Sequence, residues 1–523
     1  MERKRIAIVG SGVSGLSTLW TLRNTEHEIH LFEKEDRLGG HTNTVTWVHN
    51  GHSAPVDTGF IVMNTATYPN FIAFLKTLDI KTIPSQMTFG ISRDAGAFEW
   101  SGTSLSALFA QPINALRPSF WRMIFDIIRF NLFSLDLLSS PSNPSNDLSI
   151  GEYLEREGYS DAFRDDYLIP MTACVWSTGP DKCALEFPAV TLVRFMWNHH
   201  LLSTVVERPP WLTIEGGSKK YVDAVMRNCQ KVTVHQGFEV ESLKRKDGLV
   251  ELIVDGSRGP RSELFDEVVL ACHGDQARWI LGDAATFEER EILSAFETTP
   301  NMAFLHSDLS LMPKRRSAWS SWNYLTYSQP PSKPTNSSSS ALQTVSLTYD
   351  MNILQSIPTS TFGDVLVTLN PQTPPSPALT QATYEYRHPL YNARMVTAQE
   401  ELEKIQGKRG VWYAGAWTGY GFHEDGFSSG MRVGMRLGGS VPWEAKNAKF
   451  SRGTRPTLGW KDHFARLVVW ILQLYVSILE YLLGARRPRN ASKGGAYANG
   501  NGVANGKVKA LQPGGNAGRI LIA

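Results

Sequence analysis

The strongest constraint on this chain lies in its first 33 residues. The run Arg5 to Val9, apolar after its first residue, leads straight into the glycine-spaced turn GSGVSG. Continuous rather than alternating apolarity predicts a strand buried on both faces, the kind found in parallel sheets. Val13 to Arg23 then reads as a helix and Glu28 to Glu33 as a second strand, giving one βαβ unit. In such a unit Gly10 permits the tight turn, Gly12 lets the backbone approach a pyrophosphate, and Gly15 lets helix and strand pack closely. Ser11, Val13 and Ser14 complete the turn, whose helix N-terminus offers partial positive charge to an anion. Glu33 ends the second strand, at the offset where a carboxylate accepts hydrogen bonds from a ribose. An acid rather than an arginine at that point favours FAD or NAD over NADP.

The next residues separate those two cofactors. Lys34 opens KEDRLGGHTNT, in which Arg37 and the Gly39-Gly40 backbone are suited to lie along phosphates. This resembles the second glycine motif of the flavoprotein superfamily that contains monoamine oxidases, phytoene desaturases and protoporphyrinogen oxidases. A second resemblance is WYAGAWTGYGFHEDGFSSGMRVG, Trp412 to Gly434, read as a strand, a glycine-rich turn and a helix starting near Asp425. In that superfamily the matching segment returns to the FAD domain and presents a helix N-terminus to the cofactor, which here implicates Trp417, Asp425 and Gly426. Further stretches narrow the likeness to predicted NAD/FAD-binding proteins related to the N-terminal domain of plant cyclopropane fatty-acid synthases. They include VDTGFIVMNTATYPNF, RPPWLTIEGGSKKYVDAV, ACHGDQA and YRHPLYNARMVTAQ. The resemblance implies non-covalent FAD, since the return segment lacks cysteine. It also implies Val240 at the adenine end, and Gly59 and Phe60 beside the isoalloxazine.

The expected fold is α/β: a doubly wound Rossmann-type FAD domain with an inserted α+β substrate domain, amine-oxidase-like. Segments 1–80, 211–285 and 376–442 are assigned to the first, 81–210 and 286–375 to the second. A flavin carries the electron chemistry itself, so no nucleophilic triad is required. His423, just before the flavin-facing helix, is the candidate proton shuttle. Trp417 and Tyr420 are candidates for an aromatic wall. No lysine stands out as the counterpart of the one beside the flavin in amine oxidases, which weighs against amine oxidation. The expected reaction is hydride removal from a hydrophobic, lipid-like substrate. A flavin-dependent double-bond isomerase, or a non-catalytic flavin-binding partner of a lipid-modifying enzyme, are the alternatives.

Composition narrows the partners. With 52 basic and 50 acidic residues there is no charge excess to suggest nucleic acid. The four cysteines form no CxxC pair and do not join histidines at metal-ligand spacing, so no metal is expected. The N-terminus lacks the ~7–15 apolar residues of a secretory signal, and an intracellular location is expected. Phe464 to Leu483 is almost wholly apolar. Its polar residues Arg466, Gln473, Ser477 and Glu480 recur at helical spacing on one face. With Arg486, Arg487 and Arg489 following, segment 464–489 is expected to lie on a membrane surface. The remainder, 486–523, rich in Gly, Asn and Ala, is expected to be disordered.

Overall fold

The computed structural model describes residues 2–139, 148–176, 183–202, 209–256, 259–328 and 342–482. The segments PSNPSN (141–146) and QPPSKPTNSSSS (329–340), the arginine cluster after 485 and the tail lie outside them.

Five short parallel strands form the sheet that the N-terminal motif starts. They are β1 (Arg5–Val9), β2 (Glu28–Glu33), β3 (Val232–Gln236), β4 (Glu267–Leu270) and β5 (Val411–Tyr413). Their spatial order is β3-β2-β1-β4-β5, the order of a doubly wound sheet whose ligand crevice opens at the strands' carboxyl ends. Ile6, Ala7 and Ile8 are fully buried, as are Val268, Val269 and Leu270. The apolar run predicted as a strand is therefore a central one, covered on both faces.

Two helices pack side by side against this sheet, α1 (Val13–Leu22) and α2 (His423–Arg436). Their contact is built on glycines at every fourth residue of α2. A Cβ on Gly426 would lie 2.6 Å from Val13, one on Gly430 2.0 Å from the Ser14 carbonyl oxygen, and one on Gly434 2.8 Å from Thr21. Ser17 Oγ donates to the Phe427 carbonyl at 2.8 Å and Thr18 Oγ1 to that of Gly430 at 3.0 Å. The register climbs in the same direction on both helices, so they run parallel and their N-termini sit together.

The second layer is a seven-stranded sheet. Its spatial order is Thr380–Pro389, Thr298–His306, Leu366–Leu369, Leu342–Asp350, Trp322–Ser328, Phe89–Arg93 and Phe98–Ser101. Residues 380–389, expected with the dinucleotide domain, instead pair along the whole of Thr298–His306. Their alternating exposure marks them as an edge strand of this sheet. Between 104 and 138 the chain is helical but broken into separate segments. Pro112 and Pro118 each open a new helical segment, and the long helix is confined to Pro118–Phe133. Proline is accepted in a first turn and not in a helix interior. Among the described residues, those up to 469 form one compact unit and those from 470 a second.

Replacing Gly430 by alanine in an ordinary exposed helix would be stabilising. Here the added methyl runs into the Ser14 carbonyl and the Ser17 hydroxyl, and Gly430→Ala is expected to lower stability by about 1–3 kcal/mol in urea unfolding. A variant as stable as the parent would remove the glycine seam as the reason for this packing.

Candidate functional site

At the shared end of α1 and α2 lies a cavity of about 970 Å³. Its lining includes Gly10, Gly12, Val13, Ser14, Glu33, Lys34, Arg37, Gly39, Gly40, Gly59, Phe60, Val240, Trp417 and His423. Segments far apart in the chain thus converge on one space. Gly10 sits at φ +98°, and a Cβ there would meet the Ala271 carbonyl oxygen at 2.9 Å. Gly12 differs, since a Cβ on it would meet nothing within 4 Å. Its open side is room for a ligand rather than for protein. The first-turn N–H groups of a helix have no partner within the helix, and two parallel N-termini place their positive dipole ends together. Side by side these ends repel; an anion between them relieves the repulsion.

The remaining predicted residues act through others. Ser11 faces away from the cavity: its N–H and Oγ both donate to Glu33 Oε2, at 2.9 and 2.5 Å, and Gly39 N–H donates back to Ser11 Oγ at 3.1 Å. Ser11 therefore ties the first glycine turn, the ribose-position carboxylate and the second glycine motif together. Gly15 is a packing residue, a Cβ there falling 1.9 Å from the Gly10 carbonyl oxygen. Gly59 makes its close approach to the His41 carbonyl, 2.2 Å from a Cβ at that position, rather than to open space. Gly426 is buried in the helix seam. Trp417 forms wall, with Nε1 donating to the Cys272 carbonyl at 2.9 Å, whereas Tyr420 packs on Phe195 outside the lining.

His423 departs most from its expected role. Its ring stacks on Phe60 at 3.7 Å, and its Nε2 is 2.9 Å from the Tyr221 hydroxyl, which in turn bonds Thr42. Burial pushes its pKa down to about 3. An imidazole that stays neutral throughout the physiological range is a fixed hydrogen-bonding wall, not a shuttle near pH 7.

Three other histidines were passed over in the sequence, although each lies inside a matched stretch: His41, His273 and His388. His41 is 5.8 Å from His273 and 5.3 Å from His388 between ring centroids, and 5.1 Å from Tyr386. All line the cavity. Burial lowers the pKa of each, His388 to about 4 and His41 well below its ordinary value, where neighbouring imidazoles add to the effect. The available signal was position, because His41 follows Gly40 and His273 follows a strand end that feeds the crevice. Lys34 is the one lysine lining the cavity among the described residues.

Asp425 is partly buried, and its Oδ2 accepts from the backbone N–H groups of Tyr420 and Phe422, both at 3.0 Å, pinning the turn before α2. Burial raises its pKa to about 6 from 3.8. A carboxyl raised on folding contributes stability that is full below its unfolded value and lost as pH rises through its folded value. Asp425→Asn keeps an oxygen for both N–H groups. It should flatten the fall in stability between about pH 4 and 6, removing a slope of up to about 1.4 kcal/mol per pH unit. Urea midpoints across that range test this; an unchanged slope would contradict it.

Residues 8–78 match the family of NAD(P)-binding Rossmann-like domains. A 15-cis-phytoene desaturase from Narcissus pseudonarcissus is 24% identical over 206 residues, covering 37% of this chain and 35% of the desaturase. An L-amino acid oxidase from Cerastes cerastes is 49% identical over 41 residues, 8% of either protein. The chain thus matches about a third or less of the length of these relatives. Likeness to solved structures is far more extensive. A CLA-producing fatty acid isomerase from P. acnes superposes with a TM-score of 0.55 at 14% identity, over 83% of this chain and 99% of that one. Cyclohexylamine oxidase from Brevibacterium oxydans gives 0.56 at 13%, with the same coverage. The chain has the mixed α/β fold of the flavin amine oxidoreductases, built on an N-terminal Rossmann-type unit.

Proposed function

We propose that this protein is an FAD-dependent oxidoreductase that oxidises or dehydrogenates a hydrophobic, lipid-like substrate by hydride transfer, with FAD held non-covalently. The observation that carries the reading is the pairing of two parallel helix N-termini beside an open Gly12, with Glu33 on the same cavity. That combination suits a dinucleotide, with a pyrophosphate between the helix ends and a ribose at the carboxylate. Glu33 Oε1 accepts from Glu35 N–H at 3.0 Å and retains capacity for a hydroxyl. Lys34, Arg37, Gly39 and Gly40 extend the polar wall, and Val240 supplies an apolar surface for the adenine. FAD would supply the electron acceptor. The chain itself positions the substrate and excludes water with Phe60, Trp417 and His423.

The relatives that share this fold or sequence include a phytoene desaturase and a fatty acid isomerase, which supports an apolar substrate. The fold shared with an isomerase also supports a second reading, double-bond migration without net oxidation. Oxygen uptake during turnover separates the two. The resemblance to the N-terminal domain of cyclopropane fatty-acid synthases supports a third, a flavin-binding partner of a lipid-modifying enzyme.

The helix α3 (Trp460–Leu482) is, by length and composition, able to cross a membrane. Arg466 turns inward, its guanidinium donating to Asp136 at 2.8 Å and to the Leu132 carbonyl at 2.6 Å, while Phe464 and Leu467 are exposed. This supports monotopic binding, with Arg466 toward the protein and Phe464 and Leu467 toward lipid.

Gly12→Ala gives the decisive test of cofactor binding. The substitution has space and an ordinary backbone conformation, so the protein should unfold at the parent's urea midpoint. Its FAD affinity should fall by at least ~10-fold, about 1.4 kcal/mol. Retention of yellow flavin at parental affinity would contradict the proposed site. For membrane binding, the full chain should float with anionic phosphatidylserine-containing vesicles. A Phe464→Glu/Leu467→Glu variant should lose most of that binding; equal flotation would exclude this face.

A further inference from the structure

We propose that His41, His273 and His388, with the adjoining Arg387, form the polar end of the substrate site and take the carboxylate of an amphipathic acid rather than an ammonium. This deepens, and rests on, the reading of the cavity as a flavin enzyme's substrate site. The cluster is assembled from three segments. His41 follows the second glycine motif, His273 precedes the helix Gly274–Leu281, and His388 lies near the end of the edge strand Thr380–Pro389. No catalytic or cofactor role assigned above uses any of them.

The hydrogen bonds around His388 fix what it presents. Asn370 Nδ2 donates to Asn301 Oδ1 at 2.5 Å, so Asn301 turns its amide nitrogen to His388 Nδ1, at 2.8 Å. An imidazole accepting at Nδ1 carries its proton on Nε2, which leaves a donor for a ligand. Beside it, His41 Nε2 is buried and has no hydrogen-bond partner among the described residues. A buried polar atom without a partner costs about 1–3 kcal/mol, so such an atom on a cavity wall is a place for a ligand atom.

Charge decides which ligand. The groups acting most strongly on His41 are His388, His273, His423 and Arg37, with no carboxylate among them. Glu33, Glu35 and Asp36 line the cavity together where β2 ends. Arg387 is held by Thr298 at 2.9 Å and by looser pairs with Asp275 and Glu385 at 3.8 and 3.9 Å. Asp275 also acts on His273, but no carboxylate is among the groups acting on His41 or His388, so hydrogen-bond donors at those two rings favour an oxygen anion over a cation. An amine oxidase-like fold with this end group would select acids in place of amines.

The test compares decanoate with decylamine, which share an alkyl chain length, by titration calorimetry on the full chain. Flavin content is measured separately by absorbance. Decanoate should bind at least ~10-fold more tightly than decylamine, the effect of one hydrogen bond to a charged group. His388→Leu should remove most of that preference while FAD content is unchanged, and His388→Gln, which keeps an N–H donor, should restore much of it. If His388→Leu does not fold, Arg387→Met, at a half-exposed side chain, reads the same preference. Equal or tighter binding of the amine overturns the proposal. So does a preference insensitive to both variants, and so does loss of flavin in His388→Leu, which would make the cluster part of the cofactor site. A parent protein that prefers the acid yet never binds FAD would sink the flavin reading and leave the carboxylate site standing.

Discussion

Everything functional in this chain depends on one contact, the glycine seam between α1 and α2. Parallel helices in van der Waals contact along their length bring like ends of two dipoles together. The arrangement is unfavourable unless something negative is placed between those ends. The close approach is possible because α2 carries Gly426, Gly430 and Gly434 on a single face. Hydroxyls of Ser17 and Thr18 then bond α2 carbonyls across the seam. In this way the electrostatic requirement for an anionic ligand is built into the backbone packing rather than delegated to basic side chains.

The surrounding polar groups hold the seam in register. Ser11 locks Glu33 to the first glycine turn, and Asp425 locks the turn preceding α2. Glu424 reaches the other way, accepting from the backbone N–H groups of Asn70 and Phe71 at the start of the helix Pro69–Thr77. Burial makes Asp425 and Glu424 expensive to ionise, raising Glu424 to about 7. They do their work as acceptors for backbone donors that would otherwise be orphaned.

What the sequence made legible was local chemistry. The βαβ unit, its glycine spacing and Glu33 could be read because their geometry is fixed by neighbours in the chain. The second helix was legible through its resemblance to a known segment. What was not legible depended on which distant residues meet. Residues 380–389 read as part of the dinucleotide domain, whereas they form an edge strand of the seven-stranded sheet. The histidine cluster is not legible as a cluster because His41, His273 and His388 are 232 and 115 residues apart in succession, and the local position of each does not show that the three meet. His423 looked like a shuttle because the sequence shows a histidine's proximity to a helix end but not the depth of its burial.

The seam also sets a timetable for synthesis. Residues that close it, such as Ser17 and Phe427, are 410 positions apart, so the first helix emerges from the ribosome long before its partner exists. During that interval the face awaiting α2 is exposed, and it consists of Ser14, Ser17, Thr18 and Thr21 rather than leucines. Such a face is easily hydrated and gives little purchase to aggregation, the usual hazard of long-range contacts that form late. The crevice at the helix ends therefore closes only once the second helix has been made, and the nascent chain waits for it with a hydroxyl-rich surface.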